Sequence, residues 1–373
     1  MSSDRITERA NKVEASGIRR MFELVASMTD PINLSIGQAD FDVPEPVKEA
    51  AIQAIRSGFN RYTVTQGIPE LNERIVQHYR ESYDFRPESS LVTSGVSGGL
   101  LLAMLVLVEP GDEVLIPDPY FVMYKHLVNI AGGVPKYYDM YPSFRVTREA
   151  LESQITEKTK VLLVNSPSNP TGAVLSADEL TVIADVARQH DLTVISDEIY
   201  EAFVYGPRYR SMCQHLSETL VLGGFSKTYA MPGWRVGWAV GPKDILDAMR
   251  KLQQFSFVCA PSMAQQACVA ALDVDMSEYI DEYRFKRNLV FDGLKERYSI
   301  VRPDGSFYMF PEVPEGLDEK RFIDQAIKHD VLLVPGSACS RRATHFRLSF
   351  AAPNDVLKRG IDILDQIARE AVS

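Results

Sequence analysis

Cysteine is scarce in this chain of 373 residues. Cys213, Cys259, Cys268 and Cys339 are the four, and no two of them stand as Cys-x-x-Cys. That pattern offers neither a disulfide framework nor a thiolate metal site, and it suits a reducing compartment, with the cytoplasm as the expected location. Histidine is equally thin: His78, His126, His190, His215, His329 and His345 show no paired ligand spacing, so no metal is expected. Positive charge is in deficit, with 40 Lys and Arg against 50 Asp and Glu for a net charge of −10. A nucleic-acid partner, which needs a basic face, is not expected. Long apolar runs are missing as well. The longest, Leu100 to Val108, has nine residues, whereas a membrane span needs about twenty. Residues Met1 to Arg9 are polar and carry no apolar core of a signal peptide. Internal repeats and low-complexity blocks are also lacking.

What remains is an ordinary globular composition, 45% hydrophobic and 24% charged, in a chain longer than one core usually supports. Two domains are expected. The first 30 or so residues read as an arm with a helix from Glu14 to Met28, and Leu34 to Gln38 as a short strand or turn. Pro44 and Pro46 open a helix through Ile55, and Pro69 to Tyr83 forms another. Leu91–Thr93 reads as a strand that runs through a glycine-rich turn into the apolar stretch Leu100–Val108, expected as a helix buried on all sides. Val114–Ile116, closed by Pro117, then Lys160–Asn165, Leu192–Ile195, Leu220–Leu222 and Val236–Val240 read as strands. Ser176 and Glu179 form a capping box for a helix to His190. This alternation predicts an α/β fold with a mostly parallel sheet covered on both faces. Beyond Pro242 come a long charged helix, Asp275 to Tyr298, and short strands near Ser306–Phe310, Val331–Val334 and Phe346–Phe350. A final helix runs from Asp355 to Ala371. This α+β part is expected to join the N-terminal segment in a smaller domain.

Four places carry chemistry. In Gly223-Gly224-Phe225-Ser226-Lys227-Thr228, with Gly233-Trp234-Arg235-Val236-Gly237 after it, a lysine and an arginine sit among small residues between two strands. A lysine desolvated there would have a lowered pKa and a nucleophilic amine; a solvated loop lysine is the plain alternative. Ser94-Gly95-Val96-Ser97-Gly98, between a strand and a helix, is a ready anion site, although such turns are common. Asp197 follows an apolar strand, where a carboxylate is costly unless paired; a loop or cap carboxylate is the alternative. Arg347 lies inside the apolar run Phe346–Phe350 and needs an anion if buried.

Together these stretches resemble the class I/II aminotransferases, fold-type I enzymes dependent on pyridoxal 5′-phosphate (PLP). The motifs agree in order from about Leu34 to Ala351. The resemblance implies a large domain, residues 41–275, with a mostly parallel seven-stranded sheet between helices. Residues 1–40 would form an arm and part of the small domain, and 276–373 the rest of it. Lys227 would hold PLP covalently and move the substrate proton. The Val96 N–H, Ser97, Ser226 and Arg235 would take the phosphate. Asp197 would pair the pyridine nitrogen, Tyr200 and Asn169 the 3′-oxygen, and Phe121 would stack on the ring. Arg347 would clamp the substrate α-carboxylate, near Gly37 and Asn169. Asn169–Pro170 is expected cis. The family is typically a homodimer, and Tyr62 would reach the neighbouring subunit's phosphate.

The implied activity moves an amino group from an L-amino acid to a 2-oxo acid such as 2-oxoglutarate, with ping-pong kinetics. A PLP-dependent C–S β-lyase of the same fold is the alternative. A transcription sensor built on this fold would add a basic DNA-binding domain, whereas the aminotransferase-like part here starts by about residue 35. One departure stands out: Gly224, three before the lysine, replaces a Ser or Thr common in aspartate-using relatives. No motif marks a second arginine for a substrate side chain; Arg19, Arg341 and Arg342 are candidates.

Overall fold

Alternate residues of the central strands serve opposite faces of one sheet. On the strand Leu220–Gly224, Leu220 and Leu222 pack on one side with Leu100 and Met104, while Val221 packs on the other with Ile75 and Trp238. On Thr159–Asn165, Val161 and Leu163 share the first side, and Leu162 and Val164 meet Ile183 and Ala187 on the second. Every one of these strand residues is buried, as the two-residue period of a strand covered on both faces requires.

The computed structural model describes residues 5–13, 28 and 30–371. In chain order the strands are β1 (Ile32–Asn33), β2 (Ser89–Thr93), β3 (Glu113–Asp118), β4 (Val134–Asp139), β5 (Thr159–Asn165) and β6 (Thr193–Asp197). They continue with β7 (Leu220–Gly224), β8 (Gly237–Gly241), β9 (Tyr308–Met309), β10 (Val331–Leu332), β11 (Val334–Pro335) and β12 (Phe346–Ser349). Seven of them form one sheet in the order β2-β8-β7-β6-β5-β3-β4. Within it β8 alone runs against its neighbours, so the expected mostly parallel seven-stranded sheet is present. A three-stranded antiparallel sheet, β11-β12-β9, carries Arg347 on its middle strand. β1 pairs in parallel with β10, which ties the start of the described chain to its last third.

Local chemistry explains the boundaries. Ser176 Oγ accepts from Glu179 N, and Glu179 Oε2 accepts from Ser176 N at 2.8 Å, so the helix Ala177–Gln189 starts where its capping box puts it. Pro117 does not close its strand as expected. β3 runs through it to Asp118, because the pairing with β5 has ended by Leu115 and no partner there needs its missing N–H. The helix Gly95–Leu107 begins directly at the glycine turn, five residues earlier than its apolar run suggests. It is not buried on all sides: Leu105, in its last turn, is 44% exposed. The strand expected over Leu34–Gln38 lies just before it, at Ile32–Asn33, and the expected single strand Val331–Val334 divides between β10 and β11. The expected helix from Glu14 falls outside the described residues except for Met28, and Arg19 lies outside them too. Among the described residues no helix is long and apolar enough to cross a membrane.

Candidate active site

Parallel strands leave their C-terminal ends on one edge, where a doubly covered sheet places its ligands. Here Asn165, Asp197 and Gly224 end β5, β6 and β7, with Asn165 and Asp197 side by side in register. Beside them the helix Gly95–Leu107 starts, and Arg347 of β12 approaches from the small sheet. The result is a cavity of about 310 Å³ that these elements line together.

One end of the cavity is built for an anion. The helix Gly95–Leu107 has no side-chain cap on its first N–H groups, so they and the helix dipole are available to a ligand. Gly95 has φ +67°, and a Cβ there would stand 2.5 Å from Arg235 Nη2; a Cβ on Gly237 would stand 2.7 Å from the Val96 nitrogen. Glycine at both positions lets Arg235 and the helix start converge. Arg235 Nη2 lies 3.3 Å from both the Ser94 carbonyl and Ser97 Oγ, and Nη1 donates to the Pro232 carbonyl at 3.0 Å. Ser226, from the lysine loop, lines the same cavity. At Gly224 a Cβ would sit within 3.1–3.3 Å of Gly237 Cα, Ile199 Cδ1 and Val96 Cγ2, so a serine or threonine would be tight there.

The middle of the cavity holds a buried carboxylate and a lysine. Asp197 is 3% exposed; its Oδ2 accepts from the Tyr124 hydroxyl at 2.8 Å and its Oδ1 from the Ile199 N–H at 3.3 Å. Burial pushes its pKa up to about 6, against the pull of those two donors and of Lys227. Lys227 donates from Nζ to the Gly37 carbonyl at 2.6 Å. Desolvation, then the charges of Arg347 and Arg235, bring its pKa down to about 8, while Asp197 opposes them. Phe121 forms part of the wall and stands edge-on to Tyr124, centroids 5.6 Å apart.

The far end holds Arg347, 1% exposed. Its Nη1 donates to Asn169 Oδ1 at 3.0 Å and its Nη2 to the Ser35 carbonyl at 2.8 Å, while its buried Nε has no partner. A buried guanidinium with an unfilled donor and no carboxylate bonded to it is suited to an incoming anion. Asn169 is set by Asn165, whose Oδ1 accepts from the Asn169 N–H at 2.8 Å and whose Nδ2 donates to the Asp197 carbonyl at 2.9 Å. The Asn169–Pro170 bond is cis, as expected.

Eleven of the twelve residues that the resemblance assigns to cofactor or substrate thus line one cavity: Gly37, Val96, Ser97, Phe121, Asn169, Asp197, Tyr200, Ser226, Lys227, Arg235 and Arg347. Tyr62 does not; it is 85% exposed. Arg341 and Arg342 do not reach the cavity either. They rest on Tyr137 and Tyr141, and Arg342 also pairs with Asp139 at 2.5 Å. Two participants gave no sequence signal. Tyr124, which holds Asp197, lies in a stretch that carries no motif, and Tyr308, which faces Tyr200 and Arg347, lies in the short strand expected near Ser306–Phe310. The donor set tests well against PLP: a cationic cradle for a phosphate, a buried carboxylate for a protonated nitrogen, and a desolvated lysine on the wall of the same cavity.

The comparisons with known proteins point the same way. The family model for aminotransferase class I and II matches residues 29–364. The probable aspartate aminotransferase of Methanocaldococcus jannaschii is 37% identical over 97% of this chain and 99% of its own. The aromatic-amino-acid aminotransferase 2 of Thermococcus litoralis is 36% identical over 98% of both chains. A solved single mutant of Thermus thermophilus aspartate aminotransferase superposes with a TM-score of 0.93 at 33% identity, covering 98% of this chain and 100% of the other. The chain therefore belongs to the class I and II aminotransferases, fold-type I transferase enzymes of the PLP-dependent kind.

Proposed function

We propose that the protein moves the α-amino group of an L-amino acid to a 2-oxo acid, 2-oxoglutarate in the first instance, in two half-reactions with ping-pong kinetics. The observation that carries this reading is that Lys227, the buried Asp197 carboxylate and the incompletely paired Arg347 guanidinium line one cavity beside an uncapped helix start. The bound PLP would supply an electron sink for the substrate's α-carbon. Val96 N–H, Ser97, Ser226 and Arg235 would hold its phosphate, Asp197 its ring nitrogen, Tyr200 and Asn169 its 3′-oxygen, and Phe121 its ring face. Arg347 orients the substrate by its α-carboxylate, beside Asn169 and Gly37. With its pKa brought down to about 8 and its amine in the cavity, Lys227 is the base that would take the α-proton and return it to a neighbouring atom.

The relatives' names include both aspartate and aromatic aminotransferases, so the amino donor is the quantity to measure. A panel of acidic, aromatic and small apolar L-amino acids with 2-oxoglutarate, followed by cofactor absorbance and oxo-acid formation, tests the reading. The expected result is conversion of the cofactor by at least one class, with no free ammonia. Pyruvate and ammonia released from cystathionine without an oxo acid would mark the β-lyase instead.

The reading includes a cytoplasmic homodimer with two domains per chain, an arm and small-domain part at 1–40, a large domain at 41–275 and a small domain at 276–373. The pairing of β1 with β10 supports the shared small domain. An exposed apolar surface supports the dimer. Phe59, Tyr62, Val64, Phe255, Phe257 and Val258 are all exposed. Their two loops are tied together by Gln253 Nε2 donating to the Thr65 carbonyl at 2.7 Å and Ser262 Oγ donating to the Phe59 carbonyl at 2.7 Å. Patches of this kind mark interfaces. Tyr62 would cross to the partner's phosphate site. Mixing an inactive Tyr62 variant with an inactive Lys227 variant is expected to restore about a quarter of wild-type activity, because random exchange leaves one intact site in the mixed dimers. No recovery after verified exchange would refute the shared site.

A further inference from the structure

Tyr308 touches three parts of the site at once, although its sequence context reads as buried strand. It is 1% exposed on β9. The Arg347 guanidinium carbon lies over its ring, 4.6 Å from the centroid. Its hydroxyl is 3.0 Å from the Tyr200 hydroxyl, with the two rings edge to face at 5.8 Å. The same hydroxyl lies against the backbone of Gly37, where an added Cβ would come within 2.3 Å of it. Gly37 in turn accepts from Lys227, and Ser35, two residues earlier, accepts from Arg347.

We propose that Tyr308 is a positioning residue for transamination: its ring seats the Arg347 guanidinium that takes the substrate carboxylate, and its hydroxyl orients the Tyr200 hydroxyl toward the cofactor. This rests on the roles given above to Arg347 and Tyr200. The two functions belong to different atoms. An aromatic face holds a desolvated guanidinium by its quadrupole and keeps its plane fixed, leaving the edge donors for a carboxylate. A hydroxyl that donates to a second hydroxyl polarises it and strengthens the second one's own donation, as hydrogen-bond chains do. Tyr200 can thus donate to the cofactor's 3′-oxygen while accepting from Tyr308. Glycine at position 37 is then required by the hydroxyl, because a side chain there would displace it.

The test separates ring from hydroxyl. Tyr308→Phe keeps the ring. It is expected to leave KM for the amino acid within about twofold, lower kcat about tenfold, and move the pH midpoint of the bound cofactor's visible absorbance by at least about half a unit. Tyr308→Leu removes both and is expected to raise KM about tenfold as well. Gly37→Ala is expected to cost less in the Tyr308→Phe background than in wild type, since the nearest remaining ring atom is 3.4 Å from the new Cβ. A Tyr308→Phe protein with wild-type kcat and midpoint would overturn the proposal, as would equal KM increases in Phe and Leu variants. If Tyr308→Leu does not fold, the Phe variant and the Gly37 cycle still decide. Wild-type protein is measured alongside. No visible cofactor and no transamination in wild type would overturn the PLP reading and this proposal with it, whereas a wild-type-like Tyr308→Phe overturns this proposal alone.

Discussion

Lys227→Ala is expected to lower turnover by at least about 10⁴-fold, since it removes both the amine that would hold the cofactor and the base that would move the proton. The geometry allows no substitute. Arg235 is bonded to the Pro232 and Ser94 carbonyls and Arg347 to Asn169 and the Ser35 carbonyl, and Asp197 is occupied by Tyr124 and the Ile199 N–H. Borohydride treatment and peptide mapping are expected to label the Lys227 peptide in wild type and no peptide in the variant. Retention of more than about a tenth of wild-type kcat, well above what loss of one acid–base group leaves, would sink the assignment. So would a label on another lysine. The Nζ-to-Gly37 bond is a backbone contact, and Asp197 keeps its bonds from Tyr124 and the Ile199 N–H when the Lys227 side chain is cut back, so the variant is expected to fold.

Asp197→Asn is expected to separate function from stability in opposite directions. Turnover should fall about 10²–10⁴-fold, because a neutral amide cannot keep a ring nitrogen protonated by charge pairing. Cofactor-free stability should rise. The carboxyl has a pKa of about 6 in the fold against 3.8 when unfolded. Between those values the native state holds more protons than the unfolded chain, so stability falls as pH rises through about 4 to 6 and stays lowered above it. By the usual conversion the cost near pH 8 is on the order of 3 kcal/mol. Asparagine removes that charge, and the Tyr124 hydroxyl can turn from donor to acceptor to meet the new amide. Thermal unfolding of cofactor-free protein is therefore expected at a higher midpoint for the variant at pH 8, with the gap closing toward pH 4. A lower midpoint for the variant at pH 8 would show that the carboxylate is not held at a cost. Added PLP should reverse the order, since only the aspartate gains a charge partner from it.

Much of this was legible in the sequence because the residues that line the cavity break local rules. Arg347 interrupts an apolar strand, Asp197 ends one, and Lys227 sits among glycines; each is costly without a partner, and each faces the one cavity. Tyr124 and Tyr308 obey the rules. A tyrosine three residues after Phe121, or beside Phe307, is indistinguishable from core packing until the hydroxyl's partner is seen, and those partners lie 73 and 108 residues away. The sheet was legible from its continuous apolar runs. Its ends were less so: Pro117 looks like a strand stop only if the β5 pairing extends that far, which is a property of the neighbour. The apolar helix Gly95–Leu107 misled differently. Leu105 emerges from the core, and composition alone cannot tell core from a surface awaiting a partner.

The bond from Arg347 to the Ser35 carbonyl closes a loop of 312 residues. A contact of that span needs both ends of the chain in place before it is rewarded. While the polypeptide is still being synthesised, the Ser35 carbonyl has no Arg347 guanidinium to accept from until β12 has been made. On the role proposed for Arg347, a translation product that stops short of it would lack the guanidinium expected to grip the substrate carboxylate.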